Sequence, residues 1–317
     1  MIDGSQMYDL LLVGAGPAGL EAALQAKKAG INALLIDREE AGFIIDSTMG
    51  GKRFYHAYGE NIEPPSGLLD FPDRKIGSEL VALWRKQAES LPYFSHVIFK
   101  SIKPDVASGG YTFVSDKGDI NAQKMILATG MFAKPRKLGV LGEEGNGNIA
   151  YEFDYDSFVT DKKILVVGGG NSAVETALEL SLDNEVMLIV RKPQLAKSVT
   201  ERNRAELERE INKGGMRVFY NSTVAEFNGQ EVTMKLGDNI EKRSFDKVYI
   251  TIGFERPSDW LTSLGLELNA EGLPKLSENL ETSRKGIFVT GALTGNDSII
   301  GSANQSIAIV KDLCSNI

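Results

Sequence analysis

Twice in this chain an apolar run stops at a cluster of glycines and a helix-forming segment starts at once. The first case is Tyr8-Asp-Leu-Leu-Leu-Val13 followed by Gly14-Ala-Gly16-Pro17-Ala18-Gly19; the second is Ile164-Leu-Val-Val167 followed by Gly168-Gly-Gly170-Asn171-Ser172-Ala173. Leu20-Glu-Ala-Ala-Leu24 and Val174-Glu-Thr-Ala-Leu178 continue each loop as strong helix formers. A strand, a tight glycine turn and a helix in that order place backbone N–H groups and the positive end of a helix dipole against a pyrophosphate, provided no side chain intervenes. Two such units imply two dinucleotides and a parallel α/β fold.

The ends of the following strands separate the two sites. Asn32-Ala-Leu-Leu-Ile36 closes on Asp37-Arg38, and a carboxylate there accepts both ribose hydroxyls of an adenosine, which assigns FAD to the first loop. Glu185-Val-Met-Leu-Ile-Val190 closes instead on Arg191-Lys192. Two cations pair with a 2′-phosphate that a carboxylate would repel, so the second loop is assigned to NADPH, with NADH as the alternative. The competing account of Arg191 and Lys192 is a solvated basic turn.

A chain of 317 residues accommodates two domains, and 42% hydrophobic residues supply ordinary cores. The net charge of −8 argues against nucleic acid or an anionic membrane as partner. No apolar run approaches the roughly 20 residues of a membrane span, and the N-terminus does not resemble a secretion signal, so a cytoplasmic protein is expected. Cys314 is the single cysteine, which rules out an internal dithiol. The two histidines, His56 and His96, lack ligand-like neighbours, and no metal site is expected.

Between the motifs, residues 42–73 read as a long loop carrying Phe43, Phe54, Tyr55, His56, Tyr58 and Phe71. Helical spacing resumes over 76–91. Residues 205–213 read as a charged amphipathic helix, 218–227 and 231–236 as strands of a small meander, and 306–313 as a short C-terminal helix.

The chain resembles the low-molecular-weight thioredoxin-reductase-like flavoproteins over nearly its whole length. The resemblance is carried, in order, by Gly14–Gly19 with Asp37, Gly50-Gly51, Leu69-Asp-Phe-Pro72 with Gly77-Ser-Glu-Leu80, Ala128-Thr129-Gly130, Gly168–Ala173, Thr251-Ile-Gly253 and Gly286-Ile-Phe-Val-Thr-Gly291. It implies two Rossmann-like dinucleotide-binding domains, the second inserted in the first: an FAD domain over 1–132 and 255–317, and a NAD(P)-binding domain over 133–254. It also implies a homodimer and adds Gly50, Gly51, Ala128, Thr129, Gly130, Gly291, Ala292, Asn296 and Gln305 to the FAD-contacting residues.

Two departures accompany the resemblance. Where thioredoxin reductases carry Cys-x-x-Cys, this chain reads Tyr151-Glu-Phe-Asp154, and where the family reads Gly-Asp it reads Gly291-Ala292. Disulfide exchange requires a thiolate, so an acceptor other than thioredoxin is expected: ferredoxin, flavodoxin, a quinone or a small disulfide. The alternatives are a diflavin oxidoreductase with a second FAD in the nicotinamide position, and a flavin-binding redox sensor without turnover. Tyr55, Tyr58 and Tyr151 are candidates for the flavin face, against simple packing. Lys134-Pro-Arg136-Lys137 is a candidate dock for an acidic electron-transfer protein, against a solvated hinge.

Overall fold

The computed structural model describes residues 4–54, 64–105, 109–131, 134–153, 159–296 and 298–315. The chain divides into two compact units, Met1–Met131 with Arg256–Ile317, and Phe132–Glu255.

The first unit begins with β1 (Met7–Val13), α1 (Pro17–Lys28), β2 (Ala33–Ile36), α2 (Phe43–Met49), α3 (Gly77–Ala88), β3 (Tyr93–Phe94), β4 (Phe99–Asp105), β5 (Gly110–Ser115) and β6 (Gly118–Leu127). Strands β3, β2, β1 and the C-terminal half of β6 form a parallel layer, while the N-terminal half of β6 continues antiparallel into β5 and β4. Strand β1 is apolar at consecutive positions because both its faces are covered. Leu10 and Leu12 join a core with Leu20, Leu80 and Trp84, whereas Leu11 and Val13 join Phe113, Ile120 and Leu261 on the opposite face.

The second unit holds β7 (Ile149–Ala150), β8 (Lys163–Val167), α4 (Asn171–Leu180), β9 (Glu185–Ile189), α5 (Glu201–Lys213), β10 (Met216–Phe219), β11 (Ser222–Asn228), β12 (Glu231–Leu236), β13 (Asn239–Ser244) and β14 (Lys247–Ile250). A parallel sheet in the order β10-β9-β8-β14-β7 carries α4 on one face, where Ile164 and Val166 pack. Leu165 and Val167 pack on the other face against the antiparallel β11-β12-β13 sheet. The first unit resumes with α6 (Ser258–Ser263), β15 (Ile287–Val289), which pairs with β6, and α7 (Ile299–Ser315).

Three expectations from the sequence need correction. The expected loop over 42–73 contains α2, whose Ile45 is buried and whose Asp46 pairs with Arg85 of α3 at 2.8 Å. Residues 218–227 are not one strand: Asn221 adopts a left-handed φ of 51°, so β10 stays in the parallel sheet and β11 starts a different one. The C-terminal helix spans 17 residues, not the short run over 306–313. Its first turns are rich in small residues, but packing against α1 overrides their low propensity.

Candidate functional site

Strand register gathers the first set of motif residues at one sheet edge. Val13 pairs with Ile36 and with Leu127, and Leu127 pairs with Val289. The residues that follow these strand ends are Gly14, Asp37, Ala128 and Thr290-Gly291, all at the carboxyl edge where parallel α/β sheets bind ligands.

Each glycine of the loop has its own reason. Gly14 has a φ of 109°, and a Cβ there would lie 2.4 Å from the Ala128 carbonyl oxygen. A Cβ on Gly19 would lie 1.7 Å from the Gly14 oxygen. At Gly16, by contrast, a Cβ would meet nothing within 4 Å. Gly14 and Gly19 therefore permit the turn itself, whereas Gly16 keeps clear a space outside it. Helix α1 opens with Pro17 and has no acidic residue in its first turn, leaving the N–H groups around Ala18 and Gly19 to an anion. This cradle fits a dinucleotide pyrophosphate.

Asp37 lies beside the loop and accepts N–H groups from Ala15 and, at 2.9 Å, Glu39. Burial raises its carboxyl above the ordinary carboxylate value, against the opposing pull of those two N–H bonds. Arg38 is exposed. The Gly50 carbonyl accepts the Ser78 N–H at 2.9 Å, and a Cβ on Gly77 would lie 2.2 Å from the Met49 carbonyl oxygen and 3.2 Å from the Gly50 Cα, so Gly77 lets the end of α2 abut the start of α3; Gly51 is half-buried. Thr129 is exposed, and Gly130 holds a φ of 66°.

Gly291 turns at a φ of 73°, and Ala292 is half-buried in the short 3-10 turn that follows. The Gln305 side-chain oxygen accepts the Gly291 N–H at 2.9 Å, which ties α7 to this turn. Asn296 serves the chain itself, its side-chain oxygen accepting the Ser298 N–H at 3.1 Å, while Ser298 caps α7 by accepting the Gly301 N–H at 3.1 Å.

A group that sequence reasoning missed sits one turn into α1. Glu21 is fully buried. Its carboxylate accepts the Leu68 N–H at 2.9 Å, the Leu69 N–H at 2.7 Å and the Gln25 amide at 2.7 Å. From α7, Asn304 accepts the Ser66 N–H at 3.0 Å and donates to the Pro64 carbonyl at 2.8 Å. The stretch from Pro64 to Leu69 is thus held from two helices. No spacing rule distinguishes Glu21 from an exposed helix glutamate.

The second unit repeats the edge. Val167 pairs with Ile189 and Ile250, and Ile189 with Phe219, aligning Gly168, Val190-Arg191 and Thr251. Gly168, at a φ of 155°, would bring a Cβ within 2.4 Å of the Thr251 carbonyl, while Gly170 faces open space like Gly16. The third glycine position is taken by Ala173, which is fully buried. Asn171 donates to Glu175 at 2.9 Å and accepts from the Thr200 N–H and the Asn203 amide, and Ser172 is exposed. Arg191 and Lys192 are exposed and make no ion pair with a described residue.

Tyr151 packs with Leu138, Val140 and Ile149 of its own unit and donates its hydroxyl to Glu143 at 3.0 Å. Burial and the Glu143 carboxylate push its phenol up to about 12. Phe153 meets Tyr249 edge-on at 5.7 Å. Of the segment 134–137, Lys134 and Arg136 are exposed, but Lys137 is paired with Glu144 at 2.8 Å, so the basic patch is smaller than its sequence suggests. His96 pairs with Glu40 at 3.0 Å. Tyr55, His56, Tyr58 and Asp154 lie outside the described residues, and among the described residues no helix is long and apolar enough to cross a membrane.

Two glycine-turn cradles at the carboxyl edges of parallel sheets, one beside an acid and one beside a pair of cations, define a two-dinucleotide oxidoreductase fold. Residues 8–308 match the pyridine nucleotide-disulphide oxidoreductase family, and the chain belongs to it. The family is one of FAD-dependent enzymes that use pyridine nucleotides. The chain is 32% identical over 295 residues to a thioredoxin reductase of Mycoplasma pneumoniae, covering 90% of this chain and 87% of that one. It is 27% identical over 301 residues to a ferredoxin–NADP reductase of Ignicoccus hospitalis, covering 91% and 90%. In fold it matches the bacillithiol disulfide reductase Bdr of Bacillus cereus with a TM-score of 0.84 and 22% identity, covering 98% of this chain and all of that one.

Proposed function

We propose that this protein moves reducing equivalents from NADPH through one FAD to an acceptor that is not thioredoxin. The observation that carries the reading is the single cysteine: Cys314 is exposed near the C-terminus, and the position of the family dithiol reads Tyr151-Glu-Phe-Asp154. A chain with two dinucleotide cradles and no sulfur pair supports electron delivery straight from the flavin to the acceptor.

FAD would supply the redox chemistry, taking up a hydride equivalent and releasing electrons onward. The chain's own part is binding and orientation. Gly16 and the first turn of α1 receive one pyrophosphate, and Asp37 accepts adenosine ribose hydroxyls. Gly170 and the start of α4 receive the other, with Arg191 and Lys192 pairing to a 2′-phosphate. The names of the relatives support a small redox protein such as ferredoxin, or a small disulfide, as acceptor class; a homodimer is proposed on the resemblance alone. The test is a turnover panel: NADPH oxidation with ferredoxin, flavodoxin, a quinone, a low-molecular-weight disulfide and thioredoxin. Turnover with one of the first four and none with thioredoxin is expected; thioredoxin reduction at a comparable rate overturns the reading.

A further inference from the structure

The strip 191–199, between β9 and α5, carries three exposed cations, Arg191, Lys192 and Lys197. Long exposed side chains hold a phosphate well only when the backbone beneath them is fixed in advance, since otherwise the ordering entropy offsets the ion pairing. This strip is fixed at several points. The Lys192 carbonyl accepts the Asn221 N–H at 3.2 Å, and the Ala196 N–H donates to the Gly169 carbonyl, inside the glycine loop, at 2.8 Å. From the first turn of α5, Arg204 donates Nη2 to the Ala196 carbonyl at 2.5 Å and Nε to the Val199 carbonyl at 3.2 Å. Asn203 beside it is buried and donates to Asn171 at 2.8 Å and to Glu175 at 3.3 Å, locking the start of α5 to the start of α4.

We infer that Arg204 is a positioning residue for 2′-phosphate selectivity. Its fork clasps two carbonyls of the strip, and through them it sets Lys192 and Lys197 at a fixed height above the phosphate cradle of Gly170. This rests on the reading of the second loop as a site for a phosphorylated nicotinamide. The guanidinium suits the task because two of its donors span carbonyls three residues apart in one plane, which a lysine ammonium cannot do.

The test uses two probes that differ only in the 2′-phosphate, 2′,5′-ADP and 5′-AMP, titrated calorimetrically into the flavin-loaded protein. Wild type is expected to bind 2′,5′-ADP much more tightly. In both Arg204→Lys and Arg204→Met the ratio of the two affinities falls about tenfold while 5′-AMP affinity stays unchanged, which also shows that the variants are folded. Hydrogen exchange at the 194–199 amides speeds up in both variants. Full selectivity in Arg204→Lys overturns the inference, because charge alone would then suffice. Loss of 5′-AMP binding along with 2′,5′-ADP overturns it too, because Arg204 would then hold up the whole cradle. Equal binding of the two probes by wild type defeats the underlying NADPH reading instead, before any variant is compared.

Discussion

Replacing Glu21 by alanine removes the one acceptor for two backbone donors, Leu68 N–H and Leu69 N–H, at a side chain with no solvent exposure. Leaving a buried donor unpaired costs about 1–3 kcal/mol. Leu69 is buried and bears the full cost, whereas half-buried Leu68 regains part of it from water. Together these give about 3 kcal/mol of destabilisation in the first unit. Glu21→Gln, which keeps one acceptor oxygen, loses about half of that. Gly67 offers an independent probe, because a Cβ there would lie 2.3 Å from the Glu21 carboxylate. That carboxylate is pinned by its hydrogen bonds and cannot swing aside, so Gly67→Ala should be costly in wild type and nearly free in the Glu21→Ala background. Both tryptophans, Trp84 and Trp260, belong to the first unit, and Trp84 donates its indole N–H to Asp70 beside the clamp at 2.7 Å. Urea denaturation followed by tryptophan emission therefore reads this unit alone. A loss under about 1 kcal/mol for Glu21→Ala, or purely additive effects in the double variant, would refute the clamp.

The first two glycines of the first loop should separate folding from binding. Gly16→Ala keeps a native melting curve but purifies without flavin, since its methyl group enters the ligand's space; Gly14→Ala fails to fold, since its methyl group strikes Ala128. Colour in purified Gly16→Ala contradicts this. Because burial raises the Asp37 carboxyl above its ordinary 3.8, the ionised form proposed to accept the ribose hydroxyls is lost sooner, as pH falls, than that of an ordinary carboxylate. For the empty chain the sign is opposite: the buried ionised form is disfavoured, so the stability linked to this group is present at low pH and declines as pH rises through the raised value. Flavin release on acidification should thus set in above pH 3.8 in wild type, and Asp37→Asn should hold flavin more weakly with no such step. An identical release curve in the variant removes Asp37 from the adenosine site.

Much of this architecture is readable before any coordinates, because the strand–glycine–helix transitions carry their own geometric demands. Gly14 and Gly168 are needed for close backbone approaches, Gly16 and Gly170 for open space, and both needs leave the same letter in the sequence. Asp37 and Arg191 are equally legible, as terminal residues of strands whose register the apolar runs dictate. What escapes is set by tertiary partners. Glu21 looks like any helix glutamate until Leu68 and Leu69 supply donors 47 and 48 positions away. Lys137 looks free until Glu144 pairs with it. Helix α7 begins at Ile299 because Ser302, Ala303 and Ser306 are small enough to be buried where it packs on α1, and propensity alone does not reveal such packing. Arg204 falls just before the charged helix that the pattern marks over 205–213; the structure starts that helix at Glu201, and only the carbonyls of Ala196 and Val199 show what Arg204 holds.

The proposed function requires electrons to pass from nicotinamide to flavin and onward without a sulfur pair. The most direct measurement is anaerobic mixing of the purified protein with NADPH, following flavin absorbance while counting flavins per chain and titrating thiols. One FAD per chain that bleaches completely, with a single thiol before and after reduction, is the predicted result. A colourless protein, or one whose flavin stays oxidised with both NADPH and NADH, would contradict it.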